Sequence, residues 1–473
     1  MSIADLFRYR PAVSPDAVTY ADRKRSMLLM TIAWCFGTIY SDGIASTPLV
    51  GMFLMLGATP AWIGVLVALG SLASIAQPLG SYLVARTRSR KRLFFRLSYP
   101  GRAAWIAIAV LAAVLPPGLA TIMLLFVIVL SARLAVSLAH PSWFSWMSDL
   151  APKEELGAFW STRQMAGRIS GIIGLVILNF YLGKEPPFSK FVVFFIAVSL
   201  LGLVDIFLHR GVTGVHVTVG REPPGLRKAF VEPWLDEDYR RLLTFCLFFS
   251  FANQIGSGMM QLMLLKEIKL SYFEISLYMP GLTGAIWVLS SRWWGKIVDN
   301  VHEGGRLVFY LCAAMTAFHI LIWPMIGARQ HALIALVTVL SGMSWSGYHI
   351  GLTALIIGRS PRGARATYVA AYAVVFGIGN MVGSVIAGQL AERLADVAIF
   401  WGPFKLTQFR SLYLLSGIIR VLCLALLVRV RWPDSRPIGA YVRRLLSMNP
   451  FDRATWAYVR VKLGSPAREV EEA

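Results

Sequence analysis

Long apolar stretches alternate with short polar or basic connections along most of the chain. Each stretch has about 20 residues or more, and an α-helix of that length crosses the hydrocarbon core of a bilayer. The pattern predicts an all-α integral membrane protein with about twelve transmembrane helices. We expect them at residues 27–54, 60–85, 98–115, 119–147, 158–182, 190–210, 241–265, 273–298, 307–327, 331–358, 365–390 and 410–430.

The composition supports this prediction. Of the 473 residues, 56% are hydrophobic and 15% are charged, whereas a soluble domain carries about 25% charged residues. On a soluble chain, the formal net charge of +21 would indicate nucleic-acid binding. We expect no nucleic-acid partner here, because most of the basic residues lie in the connections between apolar stretches.

The basic residues are concentrated in every second connection between the apolar stretches. The connections at residues 57–60 and 116–118 contain no Lys or Arg. Basic clusters occur instead at residues 23–25, 86–96, 163–168, 210–241 and 359–365. Because basic loops stay on the cytoplasmic side of a membrane, both termini are predicted to be cytoplasmic, in a multi-pass protein of the cytoplasmic (inner) membrane.

The chain divides into two similar halves. A shift of 214 positions aligns Gly70 with Gly284 and Arg92 with Arg306, and internal repeats are a common feature of secondary transporters. We expect a cytoplasmic segment at 1–26, a six-helix lobe at 27–210, a cytoplasmic linker at 211–240, a second six-helix lobe at 241–430 and a basic amphipathic cytoplasmic tail at 431–473.

A short motif lies between the eighth and ninth expected helices. Gly295 is followed four residues later by Asp299 and then by Arg306. The corresponding place after the second helix has Ser81 and Ala85 where the glycine and the acid belong, but a basic cluster still follows. The motif is therefore complete in the second half of the chain and partial in the first.

On these motifs, and on Arg133 in the fourth helix four residues before Ser137, the chain resembles the major facilitator superfamily of transporters. The resemblance covers roughly residues 27–430 and implies two pseudo-symmetric six-helix lobes around a central cavity. It also implies that the motif residues take part in gating on the cytoplasmic side; these are Asp299, Gly295, Arg306, Arg86 and Arg90.

Polar residues at helical spacing indicate which faces border water. In the first helix, Thr38, Asp42 and Ser46 are each four residues apart, so they share one face. The first, fourth, seventh and tenth helices all carry such stripes, and the resemblance places these four around the cavity. The candidates for lining the cavity or binding the solute are Thr38, Ser137, His140, Gln254, Ser257, Trp345, Tyr348 and His349.

Two charged residues lie near the expected middle of the membrane. Asp42 and Arg133 are each roughly 12 to 14 residues from the outer ends of their helices, and a charge at this depth costs about 3 kcal/mol. We predict that they form an ion pair that couples proton movement to transport. The alternative is a static pair that only fixes how the helices are packed.

Taken together, the sequence predicts a secondary active transporter of a small organic solute. A preference for anionic or amphipathic, aromatic solutes follows from one cation and several aromatic residues in the expected cavity, and transport is expected to use alternating access with proton coupling. The alternatives are a transport-inactive sensor or assembly factor, and an exporter rather than an uptake system. No nucleotide-binding loop is present in the sequence, and we expect no enzyme activity, no cofactor, no metal and a monomer in the bilayer.

Overall fold

A computed structural model describes most of the membrane region. It covers residues 12–13, 18–87, 89–150, 152, 155–215, 232–300, 303–328, 330–360, 365–396, 399–401 and 404–428. The expected tail, most of the linker and most of the first segment lie outside the described residues. The described part is all-α apart from four strands of two or three residues, which confirms the expected fold class.

The first half begins with strand β1 and contains eight α-helices in its described part. Its elements are β1 (Ala12–Val13), α1 (Tyr20–Gly43), α2 (Thr47–Met55), α3 (Pro60–Ile75), α4 (Gln77–Arg86), α5 (Arg90–Val114), α6 (Leu119–Leu150), α7 (Leu156–Leu182), α8 (Phe188–Leu208), a 3-10 turn (His209–Gly211) and β2 (Gly214–Val215). Strands β1 and β2 pair in parallel. We call this half the N lobe.

The second half, the C lobe, contains the remaining helices. Its elements are α9 (Glu237–Ser257), α10 (Met260–Leu262), a π-helix (Met263–Glu267), α11 (Tyr272–Ser276), a π-helix (Leu277–Thr283), α12 (Gly284–Asn300), α13 (Gly304–His319), a 3-10 helix (Ile320–Met325), α14 (His331–Arg359), α15 (Arg365–Arg393), β3 (Ile399–Trp401), β4 (Phe404–Leu406) and α16 (Gln408–Val428). Strands β3 and β4 form an antiparallel hairpin.

The number of spans agrees closely with the sequence prediction. In the described part of the chain, ten helical spans are long and apolar enough to cross a membrane, and the bent pair α1 and α2 gives an eleventh. The remaining expected span, 273–298, corresponds to α11, the π-helix after it and α12. Pro280 lies inside this π-helix, and proline interrupts the regular hydrogen-bond ladder of a helix.

The helices run between two faces of the bundle. We call the face where α1 begins the near face and the opposite face the far face. At the near face, Lys24 forms an ion pair of 2.7 Å with Glu155, before α7. At the far face, α7 ends at Gly183, whose φ of +76° lies in the left-handed region that glycine tolerates best.

One helix begins earlier than its apolar residues suggest. The sequence interpretation expects the third span to begin at residue 98, after the basic cluster 86–96. In the structure, α5 already begins at Arg90 and contains the second part of that cluster. The cluster 163–168 lies inside α7, as the expected span 158–182 requires.

Lys91 shows how a basic residue is accommodated inside such a helix. Its side chain is buried, and its Nζ donates to the carbonyl oxygens of Arg210 and Val212, at 2.9 and 2.6 Å. A charged side chain with such partners can remain within a helix bundle.

The first span is broken rather than continuous. Between α1 and α2 the chain leaves the helix at residues 44–46 and turns by 41°. Pro48 lies in the first turn of α2, where its missing N–H leaves no helical bond unmade. The break leaves backbone groups of the first span without their helical partners, and inside a membrane such groups need other partners.

A stripe of glycines brings α7 close to α1. A Cβ atom added at Gly167 would lie 2.7 Å from Thr38 Oγ1, and one added at Gly171 would lie 3.3 Å from Asp42 Oδ2. Small residues at such spacing allow helix backbones to approach in membranes. Here they place the middle of α7 directly against the polar face of α1.

The two lobes are joined toward the far face. Helix α3 packs against α15, where a Cβ at Gly64 would lie 2.5 Å from the Ser384 carbonyl oxygen. At the end of this contact Thr59 Oγ1 donates to Glu392 at 2.8 Å. On the other side of the bundle, the N–H at the start of α11 donates to the carbonyl oxygen of Gly183 at 3.3 Å. These contacts hold the far ends of the lobes together.

Buried polar interactions link helices at corresponding places in the two lobes. In the N lobe, Arg102 of α5 forms an ion pair with Asp205 of α8. In the C lobe, the position 214 residues after Arg102 is Thr316, whose carbonyl oxygen accepts from Arg420 at 2.9 Å. Arg420 also donates to Asn253 Oδ1 at 2.7 Å. This internal symmetry supports the repeat that the sequence predicts.

We predict that Gly64→Ala separates the lobes at the far face. The added methyl group collides with α15, at a cost of about 1–3 kcal/mol to the closed contact, which raises the ratio of far-open to far-closed molecules by about 5- to 150-fold. Spin labels on cysteines at Lys184 and Lys266, which line a common far-face cavity, should show a new, longer distance by double electron–electron resonance.

Gly358→Ala is the matched control for this test. It also changes a helical glycine, but a Cβ at Gly358 meets no atom within 4 Å. Its distance distribution should equal that of the unsubstituted protein. An unchanged distribution in Gly64→Ala would contradict the role assigned to the contact between α3 and α15.

Candidate functional site

Besides the far-face cavity lined by Lys184 and Lys266, two smaller cavities lie between the lobes, one on each side of the bundle centre. The near cavity has a volume of 290 Å³ and includes Trp34 and Gln164 from the N lobe and Trp287 and Ser291 from the C lobe. The far cavity has a volume of 280 Å³ and lies between the α1–α2 break, α7, the end of the seventh span and the π-helix at Leu277–Thr283. Together they form an interrupted path along the interface of the lobes.

An ion pair lies where the two cavities approach each other. Asp42 lines the far cavity and Arg168 lines the near cavity, and Asp42 Oδ2 is 3.8 Å from Arg168 Nη1. Their side chains are 35% and 44% exposed. The distance exceeds that of a hydrogen bond, so the pair is loose and open to water from the cavities.

A glycine of the C lobe, Gly284, lies against the Arg168 side chain of this ion pair. A Cβ at Gly284, the first residue of α12, would lie 3.6 Å from Arg168 Cδ and 3.3 Å from Ile172 Cδ1. The pair itself lies entirely in the N lobe, on α1 and α7. Any change in the angle between the lobes therefore changes how closely α12 covers Arg168.

The predicted pairing of Asp42 with Arg133 is wrong. Arg133 Nη2 instead donates to the Ile44 carbonyl oxygen at 2.9 Å, within the break between α1 and α2. The physical reason is the break itself, because it leaves a carbonyl group in the membrane interior that needs a donor. Arg133 also lies 5.9 Å from the Trp105 ring. Its contacts are those of a residue that stabilises the bent first span.

The remaining N-lobe candidates lie on two helices. Thr38 lines the near cavity, and its hydroxyl donates to the Trp34 carbonyl oxygen of its own helix at 2.8 Å. On α6, Ser137 is half-buried. His140 is exposed, and its Nδ1 is 3.1 Å from Gln77 Nε2 on α4.

Two C-lobe candidates lie together on α9. Ser257 Oγ donates to the Asn253 carbonyl oxygen at 2.9 Å and is 3.3 Å from Gln254 Oε1. Gln254 faces α15, since a Cβ at Gly383 would lie 2.9 Å from Gln254 Cβ. These residues are therefore at the contact between two C-lobe helices.

The aromatic candidates on α14 differ in their positions. The sequence interpretation places Tyr348 at the cavity, but it is fully buried in the C-lobe core, with its ring 5.4 Å from that of Phe249. An aromatic residue at helical spacing fits a core as well as a cavity. Trp345 and His349 are partly exposed, and the His349 ring lies 5.4 Å from that of Trp287 at the near cavity.

The expected gating residues lie at the near face. Asp299 is exposed at the end of α12, and Gly295 is one turn earlier. Arg306 forms an ion pair of 3.3 Å with Glu303. Arg86 lies 4.4 Å from the centre of a tyrosine ring one turn earlier in α4.

The N-lobe basic cluster obtains its carboxylate from another helix. Asp149, at the end of α6, forms an ion pair with Arg90 of α5. Asp149 therefore supplies a carboxylate to this basic cluster from a position far away along the chain.

Arg168 is the main site residue that the sequence interpretation misses. The sequence interpretation uses it only as one of the basic residues that indicate the cytoplasmic side, although the expected span 158–182 contains it. In the structure it lies inside α7, five residues after Arg163. Gly167 and Gly171 beside it are a signal in the sequence that α7 packs closely against another helix. That signal alone does not say which helix it is.

Comparisons with known proteins agree with this architecture. Residues 27–384 match the family model described as Major Facilitator Superfamily. No curated protein matches the sequence. Among solved structures, the nucleoside transporter NupG has a TM-score of 0.65 at 15% identity, covering 86% of this chain and 99% of its own.

A second similar protein has been solved in two states. A bacterial homologue of the iron transporter ferroportin has a TM-score of 0.65 in its inward-facing state, at 13% identity and covering 86% of this chain and 98% of its own. In its outward-facing state the TM-score is 0.56, at 16% identity and covering 86% and 99%. At these identities the likeness establishes the fold alone.

We predict that Arg133→Met destabilises the protein. The substitution leaves the Ile44 carbonyl oxygen without its donor, which costs about 1–3 kcal/mol, so the apparent melting temperature of the purified protein should fall by several degrees. Arg133→Lys should restore part of the loss. The control is Arg210→Met, which removes an exposed arginine of the same lobe. Equal melting temperatures for Arg133→Met and the control would refute this structural role.

Proposed function

The chain belongs to the major facilitator superfamily, and on that premise we propose that it is a proton-coupled secondary transporter of a small organic solute. Transport proceeds by alternating access across the cytoplasmic membrane. The observation that carries the proposal is the loose ion pair of Asp42 and Arg168 between the two cavities. Charged residues inside a membrane mark the paths of ions and substrates.

The near face is assigned to the cytoplasm. The basic connections lie at this face, and basic loops stay cytoplasmic. The far ends of the lobes are in contact through α3 and α15, so the conformation is assigned as inward-facing.

In the coupling step, Asp42 carries the proton and Arg168 controls it. A guanidinium beside a carboxylate favours its ionised form, whereas separation of the two inside the bundle favours protonation. Rocking of the lobes moves α12 relative to Arg168, because Gly284 lies against its side chain. Arginine keeps its charge throughout, so the proton resides on Asp42.

The alternative of a transport-inactive sensor rests on the missing acid at Ala85. Asp149 forms an ion pair with Arg90. The N lobe therefore has an ion pair at the near face without an acid at position 85. We therefore favour transport. The direction of transport, uptake or export, follows from the solute that accumulates or is depleted in cells that contain the protein.

We predict that Asp42→Asn abolishes proton-driven transport but preserves exchange. Asparagine mimics the protonated acid, and solute exchange requires no net proton movement. Untargeted metabolite comparison of cells with and without the protein identifies a solute, which is then measured in proteoliposomes with and without a pH gradient. The gradient should raise accumulation by unsubstituted protein and not by Asp42→Asn.

A matched control is Asp396→Asn, which changes an exposed acid after the end of α15. It should retain gradient-driven accumulation. If a pH gradient still drives accumulation in Asp42→Asn, this residue does not couple protons. Loss of exchange as well as accumulation would also contradict the proposed separation.

We also predict the orientation of the protein. A single cysteine at Lys184, at the far face, should react with an impermeant thiol reagent in intact cells. A single cysteine at Arg92, which is exposed near the start of α5 at the near face, should react only after the cells are permeabilised. Both are placed in a variant without the four native cysteines. The reverse pattern would overturn the assignment of the near face to the cytoplasm.

A further inference from the structure

A further cavity lies inside the N lobe, beside the interlobe path. It has a volume of 360 Å³ and is bounded by α1, α5, α6, α7 and α8, at the lower end of the range for small-molecule pockets. Trp34 and Gln164 line both this cavity and the near cavity. This N-lobe pocket is therefore adjacent to the route of the transported solute.

Arg163 provides the pocket with a buried positive charge, since the residue is only 3% exposed. Its guanidinium carbon lies 4.2 Å from the centre of the Trp34 ring and 4.5 Å from that of Trp143. A third indole, Trp160, lies at 5.4 Å. Cation–π contacts of this kind stabilise the charge but do not use its N–H groups.

Only some of the N–H groups along the edge of the Arg163 guanidinium have a hydrogen-bond acceptor. Nη1 donates to Gln164 Oε1 at 3.3 Å. Nε is buried and has no acceptor among the described residues, and no described carboxylate lies within 4.0 Å of this guanidinium. Because buried charged donors without partners are costly, the edge favours an acceptor in the plane of the guanidinium.

The other arginine, acidic and histidine side chains of the pocket are Arg102, Asp205, His140 and His209. Arg102 and Asp205 form an ion pair, and Arg102 also donates to the Gly202 carbonyl oxygen at 2.7 Å. These two residues neutralise each other, although Arg102 Nε and Asp205 Oδ1 have no hydrogen-bond partner among the described residues. Trp143 Nε1 donates to His209 Nε2 at 3.0 Å. Among the described residues of the pocket, the unbalanced charge is therefore that of the arginine on α7, and it is positive.

We propose that the N-lobe pocket binds a planar aromatic carboxylate. The carboxylate accepts from the Nε edge of Arg163, a geometry suited to planar acids. The ring lies against the apolar lining, which includes Val136, Phe144 and Trp160. This inference deepens the proposed function, on which it rests for the link to transport, because it names the class of solute.

The test is equilibrium binding of 2-naphthoate to the purified protein in detergent. The neutral 2-naphthamide has the same ring without the charge, and acetate has the charge without the ring. The unsubstituted protein should bind 2-naphthoate about tenfold or more tightly than 2-naphthamide, since a hydrogen-bonded charge contributes about 1.5–3 kcal/mol. Acetate should bind weakly.

Variants of Arg163 test whether 2-naphthoate binds in the N-lobe pocket. Arg163→Gln should remove the preference for 2-naphthoate over 2-naphthamide, and Arg163→Lys should keep part of it. Arg210→Gln, which removes an exposed arginine of the same lobe, should bind as the unsubstituted protein does. If Arg163→Gln does not fold, the comparison of the two ligands on the unsubstituted protein and on Arg163→Lys decides.

Equal affinity for 2-naphthoate and 2-naphthamide would overturn the inference, and so would an unchanged preference in Arg163→Gln. The proposed function is tested separately in proteoliposomes. Binding of 2-naphthoate without any gradient-driven transport contradicts the proposed function and supports the pocket. Gradient-driven transport of another solute, without binding of 2-naphthoate, contradicts the pocket alone.

Discussion

Every charge and every backbone polar group inside a bilayer must find a partner within the protein or in a water-filled cavity, and the N lobe is arranged around this constraint. Arg133 donates a hydrogen bond to the Ile44 carbonyl oxygen, which the break in the first span leaves without a helical partner. Arg102 and Asp205 neutralise each other between α5 and α8. Once these residues are assigned, two places in the N lobe remain: Arg163 in the N-lobe pocket, and Asp42 with Arg168 at the interface of the lobes, where they border two cavities.

The two lobes meet the same constraint with different chemistry. The N lobe joins its third and sixth spans with an ion pair, whereas the C lobe joins the corresponding spans through Arg420, the Thr316 carbonyl oxygen and the Asn253 side chain. The helices are thus linked at similar places in both lobes, but the ion pair of the N lobe is replaced in the C lobe by hydrogen bonds from an arginine. The loose ion pair and the tryptophan-lined pocket both occur in the N lobe, so this difference between the lobes follows from side chains rather than from the fold.

The sequence predicts the fold well because apolar length is a local property. It also singles out Asp42 as a charged residue within the first span, since spacing along a helix gives the expected depth of a residue in the membrane. Spacing does not give the direction in which a neighbouring helix faces, so it could not choose between Arg133 and Arg168 as the partner. That choice depends on the break after α1 and on the close approach of α7, which are properties of the packed structure. The placement of Tyr348 fails for a similar reason, because core and cavity aromatics share the same spacing.

The irregular segments around the far cavity have a mechanical consequence. The break at residues 44–46 and the π-helix at Leu277–Thr283 both border that cavity, whereas the near cavity lies between the regular helices α1, α7 and α12. A regular helix resists bending, and a helix with a break or a π-turn bends there first. The two ends of the path therefore differ in stiffness: the helices beside the near cavity are regular and stiff, whereas the short segments beside the far cavity bend more easily.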